Sequence, residues 1–348
     1  MATLPTGGAP MTIARRSLLQ GGAALLASPA LPMPAIAQQR ARARIGVLQT
    51  AGAGPMYLAL ERGYFAAEGL EAEILKFDSA QPLAVSLAAG DLDFGATSLA
   101  IGFYNLAGQG LMRIIAAQGR DNPGFPNNGF VVSNEAWEKG FRSYKDMAGH
   151  SVGVSTLGSA PHYCVGLLAD KYGVPMDKID VQTLKTNPNI VATIAGNRID
   201  AAITPSTFAL SLTRNNQGKL LGWVGDESPW QLGAAYTTTK VADGRGDDVR
   251  KFLRAYKKGM ADYADAFIAA DGKRKDGPTS EAVLAILSKH LDQPVELLRA
   301  GISYVDRQAR LDGPDIRRQV NWYKAQGLLE GNVDVETLID RRYAELLP

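Results

Sequence analysis

Cysteine is nearly absent: the 348-residue chain has one, Cys164, alongside only three histidines, His150, His162 and His290. A lone cysteine excludes an internal disulfide framework. No cysteine follows the N-terminal apolar run, so a lipoprotein anchor is excluded as well. Cys164 lies in HYCVGLLADKYG, and its apolar helical neighbours make it a packed thiol and not a nucleophile. So few histidines leave no His-rich metal site, and no cofactor is expected. The G-x-S-x-G elbow is missing, and Ser159 followed by His162 on one helical turn is no triad. An excess of charge of either sign is missing too. The chain has 37 basic and 35 acidic residues, with no polybasic run, which excludes a nucleic-acid face or a basic membrane-surface helix.

Acidic residues are absent before Glu61, and that stretch has its own pattern. It carries a twin arginine (Arg15, Arg16), an apolar run from about Leu18 to Leu26, and the A-x-A triplet Ala35-Ile36-Ala37. The run is too short to span a membrane and is followed by Pro29, Pro32 and Pro34. Together these read as an export signal of the twin-arginine type, residues 1–37, cleaved near Ala37. The general secretory route remains the alternative, and either Met1 or Met11 fits as the start. Removing the segment takes away two arginines and no acid, which brings the 37 basic residues level with the 35 acidic ones. The expectation is a soluble, unanchored, monomeric periplasmic protein.

The remaining length suits two domains. The segment from Arg44 reads as strand RIGVLQT, a helix opened by Pro55 and stopped at Gly63, and strand Leu70–Phe77. A helix ending at Gly90, a short buried strand LDFGAT, a helix from about Ser98 to Ala107 and strand Leu111–Gln118 follow. This β-α-β alternation predicts a mostly parallel sheet covered by helices on both faces. Gly119–Gly129 breaks the pattern, and strand FVVS leads on to a second unit. There SVGVST, a helix from Ala160 to Tyr172, IDVQTL, PNIVATIAG and IDAAIT repeat the order, closed by KLLGWVG. Beyond strand AAYTTTKV the texture becomes helical, with spans at 247–270, 280–291, 294–301, 313–325 and 335–346.

The two units share landmarks. TAGAGPMY (Thr50–Tyr57) and TLGSAPHY (Thr156–Tyr163) both fit T-x-G-x-x-P-x-Y at an offset of 106. Gly90 and Gly196 keep that offset, and Asp93 and Asp200 are 107 apart. Each repeated turn feeds a strand into a helix N-terminus, whose first N–H groups lack internal partners and carry partial positive charge. Glycine allows close approach to the backbone, and ligands of open α/β sheets bind beyond the strands' carboxyl ends. Two such lobes facing each other can hold a small molecule, with hinge closure excluding water. Thr50, Thr97, Ser98, Thr156, Ser159, Thr204, Ser206 and Thr207 are the candidate hydroxyl rim, and Tyr57, His162 and Trp230 the candidate aromatic wall.

PMYLALERGYFAAEGLEAEI, LAAGDLDFGATS, VGVSTLGSAPHYCVGLL and IAGNRIDAAITPS, in this order, resemble the substrate-binding proteins of ABC importers. The nearest branch comprises alkanesulfonate, taurine and nitrate binders and thiamine-pyrimidine-precursor (NMT1/THI5-like) binders. The resemblance covers about residues 44–230 by motif. It implies an α/β, type II periplasmic binding fold: two doubly wound lobes, a hinge and a helical C-terminal tail. Lobe 1 would comprise 44–130 and 231–348, and lobe 2 would comprise 131–230. It further implies flytrap closure on a small-molecule ligand, and handover to an inner-membrane permease with its ATPase. Carried over by position, ligand contacts would come from Ala51, Gly52, Tyr57, Thr97, Ser98, Gly158, Ser159, His162 and the strand end Thr204–Thr207. Pro161 departs from a full anion cradle because it removes an N–H.

A small organic anion, sulfonate- or carboxylate-like, is the leading ligand class. A neutral pyrimidine-like heterocycle is the runner-up, favoured by Pro161 and the lack of a cleft arginine. A periplasmic sensor is the alternative to transport. Pyrimidine synthases related by fold depend on a cysteine-rich motif and a lysine-bound cofactor. This chain lacks that motif, so no enzymatic activity is expected.

Overall fold

The computed structural model of the protein describes residues 40–348. The stretch 1–37 read as an export signal, with its arginine pair, both candidate start methionines and the expected cleavage point at Ala37, lies outside the described residues.

The chain builds two five-stranded sheets. The first receives β1 (Ala41–Leu48), β2 (Leu70–Phe77), β3 (Phe94–Ser98) and β4 (Met112–Asp121). The second receives β5 (Asn128–Val132), β6 (Ser151–Val154), β7 (Asp180–Thr183), β8 (Ala201–Pro205) and β9 (Lys219–Trp223). The long β10 (Trp230–Thr238) then returns to the first sheet. Strand orders are β2-β1-β3-β10-β4 and β7-β6-β8-β5-β9, the same topology twice. In each sheet the fourth strand, β10 or β5, has crossed from the other lobe and pairs antiparallel with both neighbours.

Helices α1 (Gly54–Glu61), α2 (Tyr64–Ala67), α3 (Ala80–Ala89) and α4 (Ile101–Gly108) belong to the first lobe. The second holds α5 (Asn134–Glu138), α6 (Ala160–Tyr172), α7 (Asn187–Ala195) and α8 (Ser206–Arg214), with α9 (Val224–Glu227) in the return crossing. The tail comprises α10 (Thr239–Gly244), α11 (Gly246–Phe267), α12 (Ser280–Leu291), α13 (Val295–Ala300), α14 (Gly313–Ala325) and α15 (Val335–Leu338).

Local chemistry explains the element ends. Pro55 and Pro161 sit in the first turns of α1 and α6, where a missing N–H breaks no helical bond. Gly90 and Gly173 close α3 and α6 at φ +86° and +68°, a conformation that costs glycine nothing. Strand β3 is covered on both faces, and Phe94 stacks on Phe252 of α11 at 4.1 Å. Along α11, Val249, Phe252, Tyr256, Met260, Tyr263 and Phe267 recur every three or four residues and are all buried.

The connections between lobes differ from the sequence reading by a few residues. The first crossing is 122–127, not at 130, because Asn128 and Gly129 already pair with Pro205 and Thr204 in the second sheet. The return crossing is 224–229, and Trp230 opens β10 opposite Asp121 in the first sheet. Gly124 N donates to Asp226 Oδ1 at 2.9 Å, tying one crossing to the other. The last predicted helix, 335–346, is also shorter. It stops at Leu338 because Asp340 N bonds Ile114 O at 3.0 Å, and Leu347 N bonds Leu311 O at 2.8 Å. The terminal segment thereby lies against β4, which is the sheet's edge strand.

Candidate functional site

The carboxyl ends of the central strands carry the equivalent turns, and their polar groups divide sharply into engaged and unengaged. In the second lobe the turn closes on itself. Ser159 caps α6, its Oγ accepting His162 N at 3.4 Å and donating to Thr156 O at 2.7 Å. His162 Nδ1 in turn accepts Gly158 N at 2.9 Å. Burial drives the His162 imidazole down to a pKa of about 4, so the ring is neutral and acts as an acceptor here. Pro161 offers no N–H, and at α8 Ser206 N is bonded to Asn127 O at 2.7 Å. The Gly158, His162 and Ser206 N–H groups are therefore engaged within the protein.

The lobes meet at this turn. Ile101 N, at the start of α4, donates to Gly158 O at 2.8 Å. Gly158 stands at φ +73°, and a Cβ there would lie 2.3 Å from Ile101 Cγ2, so only glycine permits the approach. On the opposite side Gly301, after α13, lies against Ser206, to whose Oγ a Cβ would come within 2.5 Å.

Two unengaged groups occupy equivalent positions. Thr97 near the end of β3 and Thr204 near the end of β8 are 107 residues apart, like Asp93 and Asp200. Both are buried, and neither hydroxyl has a hydrogen-bond partner among the described residues. A buried hydroxyl in that state calls for a partner from outside the chain. Asn127 Nδ2 and Asp121 Oδ1, at the first crossing, are unengaged in the same way.

The other predicted positions spread more widely. Ala51 and Gly52 are buried in the first turn, where Gly52 O accepts Gln118 Nε2 at 3.1 Å. Thr50 O caps that turn by accepting Ala53 N at 3.0 Å. Ser98 and Thr207 are half-buried, and Thr156 is exposed. The aromatic wall is not assembled. Tyr57 is packed in the first lobe, its ring stacked on His290 at 4.4 Å. Trp230 is fully buried in the hinge, with Nε1 donating to Asp121 Oδ2 at 3.1 Å and its ring 5.3 Å from Tyr163. Its only donor is satisfied within the fold.

Three residues of the site escaped the sequence reading. Gln118 bridges the first turn and β3, donating to Ala96 O at 3.3 Å as well as to Gly52. A polar residue ending the apolar run LMRIIAAQ was its one signal. Asp121 accepts from Asn128 Nδ2 at 2.9 Å and from Trp230, and burial pushes its carboxyl up to about 7. Ile101 had no signal, since its role is a backbone contact with another lobe. Cys164 is buried and its thiol is pushed well up by burial, in keeping with a packed residue. Among the described residues no three His, Cys, Asp or Glu side chains form a metal-holding group, and no helix is long and apolar enough to cross a membrane.

Comparison with known proteins places this geometry. The model of the family described as NMT1/THI5 like matches residues 51–266. A candidate binding protein of Brucella abortus (strain 2308) is 32% identical over 146 residues, which cover 42% of this chain and 41% of that protein. The match thus spans about two-fifths of the relative's length. The alkanesulfonate-binding protein SsuA of Xanthomonas axonopodis pv. citri, solved bound to MOPS, superposes with a TM-score of 0.69 at 17% identity. That alignment covers 87% of this chain and 99% of SsuA. The desulfurization enzyme DSZB shares the fold with a TM-score of 0.62 at 14% identity, over 87% of this chain and 97% of the enzyme. The architecture is that of the periplasmic binding proteins, and it also houses catalysis.

Proposed function

The chain belongs to the NMT1/THI5-like family, and we propose that it is a periplasmic solute-binding protein serving an ABC importer. On this reading it captures one small molecule between its two sheets, closing about the crossings at 122–127 and 224–229. It then presents the closed form, as a monomer, to a permease driven by its ATPase. Lobe 1 comprises the first sheet with the helical tail, and lobe 2 comprises the second sheet. The observation that carries the proposal is the pair of buried, unpartnered hydroxyls on Thr97 and Thr204, set at equivalent strand ends beside the Ile101–Gly158 contact.

The ligand class we favour is uncharged. Gly158, His162 and Ser206 have their N–H groups engaged, and His162 is neutral. The unengaged Thr97 and Thr204 hydroxyls and Asn127 amide suit a polar heterocycle better than a dianion. The second reading is a small organic anion, favoured by the fold similarity to SsuA with its bound MOPS. A sensor role would use the same site and differ only in the receiving partner.

A thermal-shift screen of residues 38–348, refolded to remove any carried ligand, separates the readings. The panel holds pyrimidines, alkyl and aryl sulfonates, carboxylates and nitrate. A ligand at a thousand times its dissociation constant stabilises by about 4 kcal/mol, a shift of several degrees. A shift confined to pyrimidines supports the uncharged class, and one confined to sulfonates or carboxylates supports the second reading. No shift with any compound counts against solute capture.

A further inference from the structure

Away from the cleft, a cavity of about 420 Å³ lies between α6 of the second lobe and α14 of the tail. That volume falls within the range of small-molecule sites. The cleft turn precedes α6, whereas this cavity runs along the helix from Tyr163 onward and reaches Met176 beyond its end. The two sites share α6, and Trp322 of the cavity wall lies 5.0 Å from the His162 ring at the cleft turn.

Three features make the cavity more than a packing gap. Trp322 of α14 rests directly on α6 at Gly166, where a Cβ would stand 2.2 Å from the indole nitrogen. The bare glycine backbone thus admits the indole ring as a flat wall. Tyr163 lines the same space, fully buried, with its ring 5.3 Å from that of Trp322. Its hydroxyl is buried beside the Arg318 guanidinium. Leu167 and Met176 complete an apolar floor.

Charge then restricts the occupant. The cavity's cation, Arg318, is fixed by Asp315, with Nε to Oδ1 at 2.7 Å, and by Pro229 O at 2.9 Å. Asp170, also in the lining, adds a negative charge with no lining cation left to balance it. An anion would gain little here and would meet the Asp170 carboxylate.

We propose that the α6–α14 cavity is a second ligand site, taking an uncharged planar aromatic molecule of one or two rings. Such a molecule lies against Trp322. It bridges a helix of the second lobe and a helix of the tail that follows the first sheet.

Benzimidazole is the probe, titrated into residues 38–348 and followed by tryptophan fluorescence and saturation-transfer NMR. Saturable binding is expected, lost in Leu167→Trp, which fills the cavity, and in Gln326→Trp, which blocks its half-buried rim. Thr204→Val, which alters only the cleft, leaves this binding unchanged. Absence of saturable binding overturns the proposal. So does binding that persists in both tryptophan variants, or binding lost with Thr204→Val, which locates the probe in the cleft. Should Leu167→Trp fail to fold cooperatively, Gln326→Trp carries the decision.

Discussion

Ile101 and Gly158 join the two lobes through one backbone hydrogen bond of 2.8 Å, donated by the amide at the head of α4 to a carbonyl in the turn before α6. The approach depends on Gly158 having no side chain, because a Cβ would meet Ile101 Cγ2 at 2.3 Å. Gly158→Ala is therefore expected to hold the lobes apart. Small-angle scattering should show a larger radius of gyration with saturating ligand, and affinity should fall at least about tenfold, the effect of losing some 1.4 kcal/mol. Gly90→Ala is the control. Gly90 also has positive φ, at +86°, but a Cβ there meets nothing within 4 Å. It bears a similar backbone strain of about 1–2 kcal/mol without the clash, and its ligand affinity should match the parent's.

Asp93 and Asp200 are structural counterparts. Asp93 Oδ2 accepts Arg44 N at 2.8 Å, and Asp200 Oδ2 accepts Ser151 N at 2.8 Å, in each case from the residue 49 positions earlier. Each carboxylate ties the strand preceding its repeat turn, β1 or β6, to the start of the neighbouring strand, β3 or β8. Asp200→Ala leaves Ser151 N without that partner at a half-buried site, and a loss of about 1–3 kcal/mol is expected. Urea unfolding would register it as a lower midpoint with an unchanged slope. Arg44 and Arg245 also pair with Asp93, so Asp93→Ala should be the more damaging change.

That pair shows why so much of the fold was legible. Strand Leu70–Phe77 and the helices Ala160–Tyr172, Ser280–Leu291 and Gly313–Ala325 fall where the pattern placed them. Apolar periodicity, prolines in first turns and terminal glycines all act within a few residues. The repeat was legible because equal hydrogen bonds require equal residues at equal spacing. What pairs over long distances was not. The antiparallel insertion of β5 and β10 is a property of the two sheets together, and neither strand announces it. Trp230 meets Asp121 across 109 residues, so a tryptophan next to a candidate cleft read as a wall when it is a hinge post. The segment after Leu338 looked helical because its composition suits a helix, yet pairing beside β4 and with Leu311 prevails.

Thr97 and Thr204 test the cleft directly. Valine matches threonine in shape and removes only the hydroxyl. Because neither hydroxyl has a partner among the described residues, Thr97→Val and Thr204→Val should leave the free protein as stable as the parent or slightly more so. Each should weaken the identified ligand by about threefold to tenfold, the loss of one neutral hydrogen bond. Calorimetric titration and thermal melts on the same preparations give both readings. Unchanged affinity in the double variant would remove the threonines from the site.

Asp121 and His162 make opposite contributions to the pH dependence of stability. Burial raises the Asp121 carboxyl to about 7, so its contribution is full below the unfolded value near 3.9 and is lost as pH rises toward 7. Burial lowers His162 to about 4, so its contribution is present above the unfolded value near 6.5 and is lost as pH falls toward 4. Between pH 4 and 6.5 the folded state holds the aspartate's proton and the unfolded state holds the histidine's, and the two slopes cancel. Single variants should expose each one. His162→Asn, which keeps an acceptor for Gly158 N, removes the His162 slope, so its stability relative to the parent falls about 1.4 kcal/mol per pH unit from 4 to 6.5. Asp121→Asn removes the Asp121 slope, so its stability relative to the parent falls by a similar amount per unit as pH drops from 7 to 4. The groups common to all three proteins cancel in these differences. Urea midpoints at half-unit pH intervals supply the curves, and variant curves parallel to the parent's would show that neither group titrates as its burial requires.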